Sequence, residues 1–123
     1  MNISSEFKEI ISSVFYDKQI DVYDIVENVG EELDCTREKG EIKQAKLSCN
    51  VHFTSNEMVK KDFGLDIEVN IMVTCDTTVA QIGDIITYQN QDYTITGKLT
   101  PDSHTKLFAQ LGIRWVKSSI YLN

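Results

Sequence analysis

Residues 83–111 read GDIITYQNQDYTITGKLTPDSHTKLFAQL and contain three extended runs separated by two turn signals. The first run, 85–88, leads into the polar stretch Gln89–Asp92, which is rich in turn-forming residues. The return run stops at Pro101, because proline has no N–H to donate to a sheet. We expect one face of this return run to carry Tyr93, Ile95, Gly97 and Leu99. A third run follows at 105–111, so the segment predicts a hairpin, a corner and a further strand.

Two earlier segments show a clear period of two. Apolar and polar residues alternate over 45–54 and again over 67–76. This alternation is typical of a sheet with one face in a core and the other in water. Cys49 and Cys75 fall on the apolar faces, and the chain has no CxxC pair, so we expect both to be buried free thiols.

The remaining segments predict one helix and two loops. Residues 3–16 have the apolar spacing of an amphipathic helix, and Ile20–Val26 is a short strand. The acidic stretch Glu27–Glu41 predicts a surface loop. Residues 55–66 are too many for a tight hairpin, and we expect one helical turn at 57–63, closed by Gly64.

These patterns predict a mainly β fold. We expect a small antiparallel β-barrel or sandwich of about six strands with an N-terminal α-helix, because closure removes exposed sheet edges. The whole chain, 1–123, forms a single domain on grounds of length. Residues 112–123 are expected to form a C-terminal arm, which either packs on this domain or holds a neighbour.

The composition is that of a soluble protein with an excess of acid. Hydrophobic residues make up 41% and charged residues 25%, and the net charge is −7. We expect no membrane span and no signal peptide, and assembly in the cytoplasm of the producing cell. A surface built to grip DNA phosphates needs clustered basic side chains, which the acidic balance disfavours. Residues 98–123 nevertheless carry four basic side chains against one acidic, so the chain has an acidic body and a basic end. This polarity either favours head-to-tail mating or is ordinary solvated charge.

Catalytic chemistry has little support in the sequence. Cys49 and His52 are predicted to point to opposite faces of one strand, which excludes direct contact between nucleophile and base. Asp102, Ser103 and His104 are adjacent, whereas a hydrolase triad is assembled from distant positions. We therefore predict that the chain is not an enzyme and uses no cofactor and no metal.

Four ordered segments carry a resemblance to a known family. They are LSCNVHF at 47–53, KKDFGLDIEVNIMVTCD at 60–76, GDIITYQNQDYTITG at 83–97 and PDSHTKLFAQL at 101–111. Together they resemble the small head–tail connector proteins of tailed bacteriophages, and more narrowly the head-completion or stopper family. The resemblance covers residues 18–111, and its most telling parts are the 83–97 hairpin and the strand after it.

The resemblance implies a β-barrel that assembles as a ring of six or twelve copies at the head–tail junction of a virion. It implies a portal-adaptor protein on the head side and a tail terminator on the tail side, with only transient, non-specific proximity to packaged DNA. It also implies a loop at 55–66 that projects into the channel as a plug. The plug residues would be Asn56, Glu57, Met58, Val59, Lys60, Lys61, Asp62 and Phe63.

Other interpretations stay open at this point. Lys60 and Lys61 either meet DNA or an acidic neighbour, or they are ordinary solvent-facing residues. Partner contacts are expected at Phe7, Ile11, Arg114, Trp115, Lys117 and Tyr121. Two alternatives to the connector are a tail terminator or baseplate ring subunit and, from a different class, a monomeric ligand-binding β-barrel.

Overall fold

Six antiparallel strands close into one barrel. The structure, a computed structural model, describes residues 16–29, 35–100 and 104–114. The elements are β1 (Lys18–Val29), β2 (Cys35–Phe53), α1 (Asn56–Phe63), β3 (Ile71–Cys75), β4 (Ile85–Tyr88), β5 (Gln91–Leu99) and β6 (Thr105–Leu111). Their order around the barrel is β1-β2-β3-β6-β5-β4, and β4 pairs back onto β1. The predicted mainly β barrel is confirmed. The predicted N-terminal helix at 3–16 lies outside the described residues apart from Tyr16, which is not helical.

Alternating side chains of all six strands fill the barrel interior. The two predicted thiols, Cys49 and Cys75, lie in this core as free cysteines, as expected. Their neighbours there are mainly aliphatic, with an aromatic pair from the β4–β5 hairpin. The buried members are Ile20, Val22, Leu47, Cys49, Ile71, Val73, Cys75, Ala80, Ile86, Tyr88, Tyr93, Ile95, Leu107 and Ala109. Packed side chains rather than open space therefore occupy the narrow centre of this barrel.

The helix α1 lies on the outside of the barrel. Ser55 caps its first turn by accepting a hydrogen bond from the Met58 N–H at 3.3 Å, and Gly64 ends it with a left-handed φ of 71°. Val59 is buried, and the Phe63 ring meets Phe108 of β6 edge-on at 5.2 Å. The predicted helical turn is therefore confirmed. The expectation of a projecting loop needs correction, because this apolar contact folds the segment against the barrel.

A β-bulge reverses the faces of β5. Pairing with β6 shifts register between Ile95 and Gly97, so Ile95 points into the barrel whereas Gly97 faces the outer residue Phe108. The expectation that Tyr93, Ile95, Gly97 and Leu99 share one face is wrong for this reason. Leu99 instead packs with α1 on the outside of the barrel.

The stretch expected to be an acidic loop is largely strand. Residues 27–29 belong to β1 and residues 35–41 to β2, and the two form one long antiparallel ladder. The prediction of a loop at Glu27–Glu41 and of a strand ending at Val26 is therefore wrong. Charged side chains occupy both faces of this ladder, which hides the period-two pattern that a half-buried strand would show.

Two other boundaries differ from the sequence pattern. The β4–β5 turn needs only Gln89 and Asn90, whose φ angles of 50° and 62° suit the tight turns that match strand twist. Strand β3 begins at Ile71, although the alternation starts at Ile67. The residues before it serve the outer cluster instead, since Val69 is buried beside α1.

Candidate functional site

A two-stranded ribbon extends past the closed part of the barrel. We define the ribbon as residues 24–29 of β1 together with residues 35–42 of β2. On its other edge β1 pairs with β4 only over Asp21–Tyr23, and β2 pairs with β3 only over Asn50–Phe53. Among the described residues, the ribbon strands therefore have each other as their only ladder partners.

The inner face of the ribbon carries cations that bind its own barrel. Lys39 lies 3.3 Å from the Asp92 carboxylate and 4.5 Å above the Tyr23 ring. Arg37 donates from Nη1 to the Arg114 carbonyl at 2.6 Å, and its Nη2 lies 3.4 Å from Glu27. The contacts with Asp92 and Arg114 hold the ribbon against the β4–β5 hairpin and the chain after β6, whereas the Arg37–Glu27 pair joins the two ribbon strands.

A third cation closes the base of the ribbon. Lys43, one residue beyond it, donates to Asp84 at 2.6 Å, in the turn that precedes β4. Asp84 also accepts the Gln81 N–H at 2.8 Å and is 5% exposed. The positive side chains of this region therefore face the protein itself.

The outer face of the ribbon is left acidic and apolar. Val26 and Glu38 are opposite each other in the ladder, so they share a face. Asp24, Glu38 and Glu41 are exposed there or beside it, and none makes an ion pair with a described residue. Val26 is 44% exposed on this face, whereas Ile42 is opposite Tyr23 in the ladder and so shares the face of Lys39. Gly40 leaves room for Val26 to lie flat, since a Cβ at this position would be 2.9 Å from Val26 Cγ2.

The helix α1 provides a second exposed surface, of different chemistry. Lys60 and Lys61 form its last turn, and neither makes an ion pair with a described residue. The half-buried Lys106 of β6 lies near the end of the same helix, with its Nζ 5.9 Å from the centre of the Phe63 ring and 3.3 Å from Thr74 Oγ1. Met58 adds an apolar side chain that is 50% exposed. We call these four residues the α1 patch.

The ribbon and the α1 patch lie on opposite sides of the barrel. The ribbon extends from β1 and β2, whereas α1 covers β6 and its neighbours. In the closed order of six strands, β1 and β6 are three positions apart in either direction. The protein therefore presents an acidic-apolar surface and a lysine-bearing surface on opposite flanks.

The described residues show little that supports catalysis. Cys49 is buried in the barrel and His52 is exposed on the other face of β2, so the predicted separation of this pair is confirmed. Burial, and then the neighbouring Cys75, raises the pKa of Cys49 to about 12; burial, and then Asp76, raises that of Cys75 to about 11. Protonated thiols are poor nucleophiles. No group of three or more His, Cys, Asp and Glu in the described part of the chain is arranged to hold a metal ion.

A polar groove of about 410 Å³ lies where α1 begins. The Asn56 amide donates to Glu68 at 2.8 Å and accepts the Val69 N–H at 2.8 Å, and Asn70 accepts the Leu111 N–H at 2.6 Å. Polar groups that already bind each other fix the loop after α1 in place. These hydrogen bonds within the protein therefore account for the polar lining of the groove. No helix in the described ranges is long and apolar enough to cross a membrane.

The structure places the predicted site residues in different environments. Of the eight residues expected to form the plug, Val59 is buried and Phe63 half-buried against the barrel, and the other six are exposed. Arg114 is exposed, but its backbone is held by Arg37 and by Thr94 Oγ1, which accepts the Arg114 N–H at 2.8 Å. The predicted contacts Phe7, Ile11, Trp115, Lys117 and Tyr121 lie outside the described residues.

The sequence pattern predicted only residues 24–26 of the ribbon as strand and missed the rest. The signal beyond the predicted end is Val29, a β-branched residue that follows Ile25 and Val26. Interspersed charges masked it, because their partners lie far away in sequence, at Asp84 and Asp92.

No protein-family model matches the chain, and no curated protein matches it.

Proposed function

We propose that this chain is a structural ring subunit of a tailed-bacteriophage head–tail junction, which closes the DNA-filled head and joins it to the tail. The observation that carries the proposal is a coincidence of boundaries. The residues that resemble the stopper family span 18–111, and the barrel begins at Lys18 and ends at Leu111. The four quoted segments contain the ends of β2 and α1, all of β3, β4 and β6 and most of β5, and the wider range of the resemblance adds β1 and the rest of β2, α1 and β5.

The form of the barrel supports a structural role over a ligand-binding role. Six strands enclose a narrower space than the eight-stranded barrels that hold a single small ligand. Here that space is occupied by side chains from every strand. A barrel that binds its ligand in the interior would need a cavity where Ile71, Val73 and Leu107 are packed.

The charge also supports the proposal. A ring around a DNA channel works best when its body repels phosphates, since attraction would slow the passage of the polymer. The net charge of −7 meets this condition. A tail terminator or baseplate ring would share these properties, and the copy number and the position in the particle distinguish it from a connector.

The test is the location and the copy number of the chain in phage particles. Quantitative mass spectrometry against an isotope-labelled standard should give six or twelve copies per virion, and cryo-electron microscopy should place them between portal and tail. Phage that lack the chain should yield heads that lose DNA and do not join tails. A single copy per particle, or absence from particles that remain infectious, would overturn the proposal.

A plug role for α1 needs a milder test than deletion. Removing Asn56–Phe63 would uncover Phe108, so a DNA leak could follow from misfolding alone. Replacing Lys60 and Lys61 by alanine leaves Val59 and Phe63 in place. If these lysines contact DNA in the channel, the variant phage should retain less DNA at equal copy number of the ring protein; unchanged retention would exclude that role.

A further inference from the structure

We propose that the outer face of the ribbon of one copy binds the α1 patch of a second copy, and that repetition of this contact builds the ring. The inference rests on the proposed ring function, which it deepens by naming the two surfaces in contact. Each of these surfaces is made of described residues, and the charged side chains that form them are exposed in the single chain, apart from the half-buried Lys106.

The first step is the separation of charge within the ribbon. Arg37, Lys39 and Lys43 all bind groups of their own subunit outside the ribbon, at distances between 2.6 and 3.3 Å. Asp24, Glu38 and Glu41 remain on the solvent side without such partners among the described residues. The ribbon thus presents negative charge around the exposed Val26 to an incoming surface, a combination that favours a basic partner with an apolar centre.

The second step is that the chain itself carries such a surface. Lys60, Lys61 and Lys106 lie around the end of α1, and Met58 supplies the apolar contact. Lysines that already had carboxylate partners would gain little from a second copy, whereas Lys60 and Lys61 have none within the described ranges.

The two surfaces also lie where a ring requires them to lie on the subunit. Two different surfaces that complement each other form a heterologous contact, which gives a ring if the rotation between successive copies closes and an open filament if it does not. This requires the surfaces to lie on different flanks of the subunit. The ribbon on β1–β2 and the patch over β6 satisfy the requirement, because β1 and β6 are opposite in the strand order.

Charge reversal tests the contact directly. We would make Glu38→Lys with Glu41→Lys as the ribbon variant, and Lys60→Glu with Lys61→Glu as the patch variant. All four positions are exposed, and circular dichroism and thermal melting would check that each variant folds. Self-association would be measured by sedimentation velocity over a range of protein and salt concentrations. Each variant alone should associate at least about tenfold more weakly than the wild type, and a one-to-one mixture of the two should associate again.

Zero-length carboxyl–amine cross-linking on a mixture of ¹⁴N and ¹⁵N chains identifies the residues in contact. Mixed-isotope peptides should join Lys60 or Lys61 to Glu38 or Glu41.

If the wild type associates but neither charge-reversal variant weakens the association, or if the mixture of variants fails to associate, the ribbon–patch contact is wrong while the ring function survives. If the wild type shows no association even on purified portal–adaptor complexes, both proposals fail. A matched control is Lys46→Glu, a reversal of an exposed lysine outside both surfaces, which should leave association unchanged.

Discussion

The ammonium of Lys43 lies 2.6 Å from the carboxylate of Asp84 and joins the base of the ribbon to the turn before β4. The two residues are 41 positions apart in sequence, and Asp84 is almost fully buried. A buried carboxylate with two donors holds its surroundings in one arrangement, because removing it leaves a backbone N–H and a cation without an acceptor. This ion pair is therefore a stronger link between ribbon and barrel than the exposed charges around it.

Replacing Asp84 by alanine should lower the free energy of unfolding by about 2 kcal/mol, since the Gln81 N–H and Lys43 lose their acceptor. Urea denaturation measures the change. The control is Asp17→Ala, which removes an exposed pair with Lys18 at 3.9 Å and should cost less than about 0.5 kcal/mol. Equal losses in the two variants would show that the buried pair has no special role.

Gly97 provides a second test, because it lies directly opposite Phe108 in the ladder. A Cβ at Gly97 would be 2.8 Å from Ile67 Cδ1 and 3.3 Å from Phe108 Cδ2. Gly97→Val should therefore cost about 1–3 kcal/mol of stability through overpacking.

The matched comparison is the same substitution in an Ile67→Val background, which lacks the nearest methyl group. The Gly97→Val penalty should shrink there, and a double-mutant cycle from denaturation curves measures the coupling. Strictly additive losses would mean that the contact with Ile67 does not determine the choice of glycine.

The period-two segments and the glycine cap of α1 were predictable because their signals are local. Ser55 and Gly64 define a helix whatever lies around it, and alternation over 45–53 requires a buried face. The bulge between Ile95 and Gly97 has no such signal. It is set by pairing with Phe108 and by the space under α1, and both depend on residues brought together only by the fold.

The candidate site was less predictable than the fold for the same reason. The Lys60–Lys61 pair stands out in the sequence, but its position opposite the ribbon follows from the closed strand order. The ribbon itself depends on ion pairs between residues 41 and 53 positions apart, and a local pattern does not reveal them. The sequence gives the net charge of a segment, whereas the face on which each charged side chain lies follows from the strand pairing.

The two buried thiols should make the protein less stable in alkali. The pKa values of about 12 for Cys49 and about 11 for Cys75 lie above the ordinary value of 9.0, because burial disfavours the thiolate. Below pH 9 the thiols are neutral in both states, so their stabilising contribution is complete. Above pH 9 the unfolded chain loses these protons first, and the contribution is lost as the pH rises through about 11 and 12.

Denaturation between pH 8 and pH 11 measures this effect. A Cys49→Ala, Cys75→Ala double variant should be less stable at pH 8 because of lost packing, yet should lose less stability over the pH range than the wild type. Val73→Ala is the control, since it removes a neighbouring buried side chain but no thiol and should keep the wild-type slope. Identical slopes in all three proteins would mean that the thiols do not contribute.

The docking of α1 sets the position of the lysine-bearing surface, and Phe63 is the side chain that tests it. Its ring meets Phe108 at 5.2 Å on the outside of the barrel, so Phe63→Ala should cost about 2 kcal/mol in urea denaturation. Met58→Ala, on the same helix but half exposed, should cost less than about 0.5 kcal/mol.

Hydrogen exchange distinguishes local from global effects of the Phe63 substitution. In the Phe63 variant the amides of α1 should exchange faster while those of β3 and β6 keep their protection, because Phe63 packs in the outer cluster and not in the interior core. Loss of protection throughout the barrel would mean instead that α1 is an integral part of the core, and that the α1 patch is as rigid as the strands beneath it.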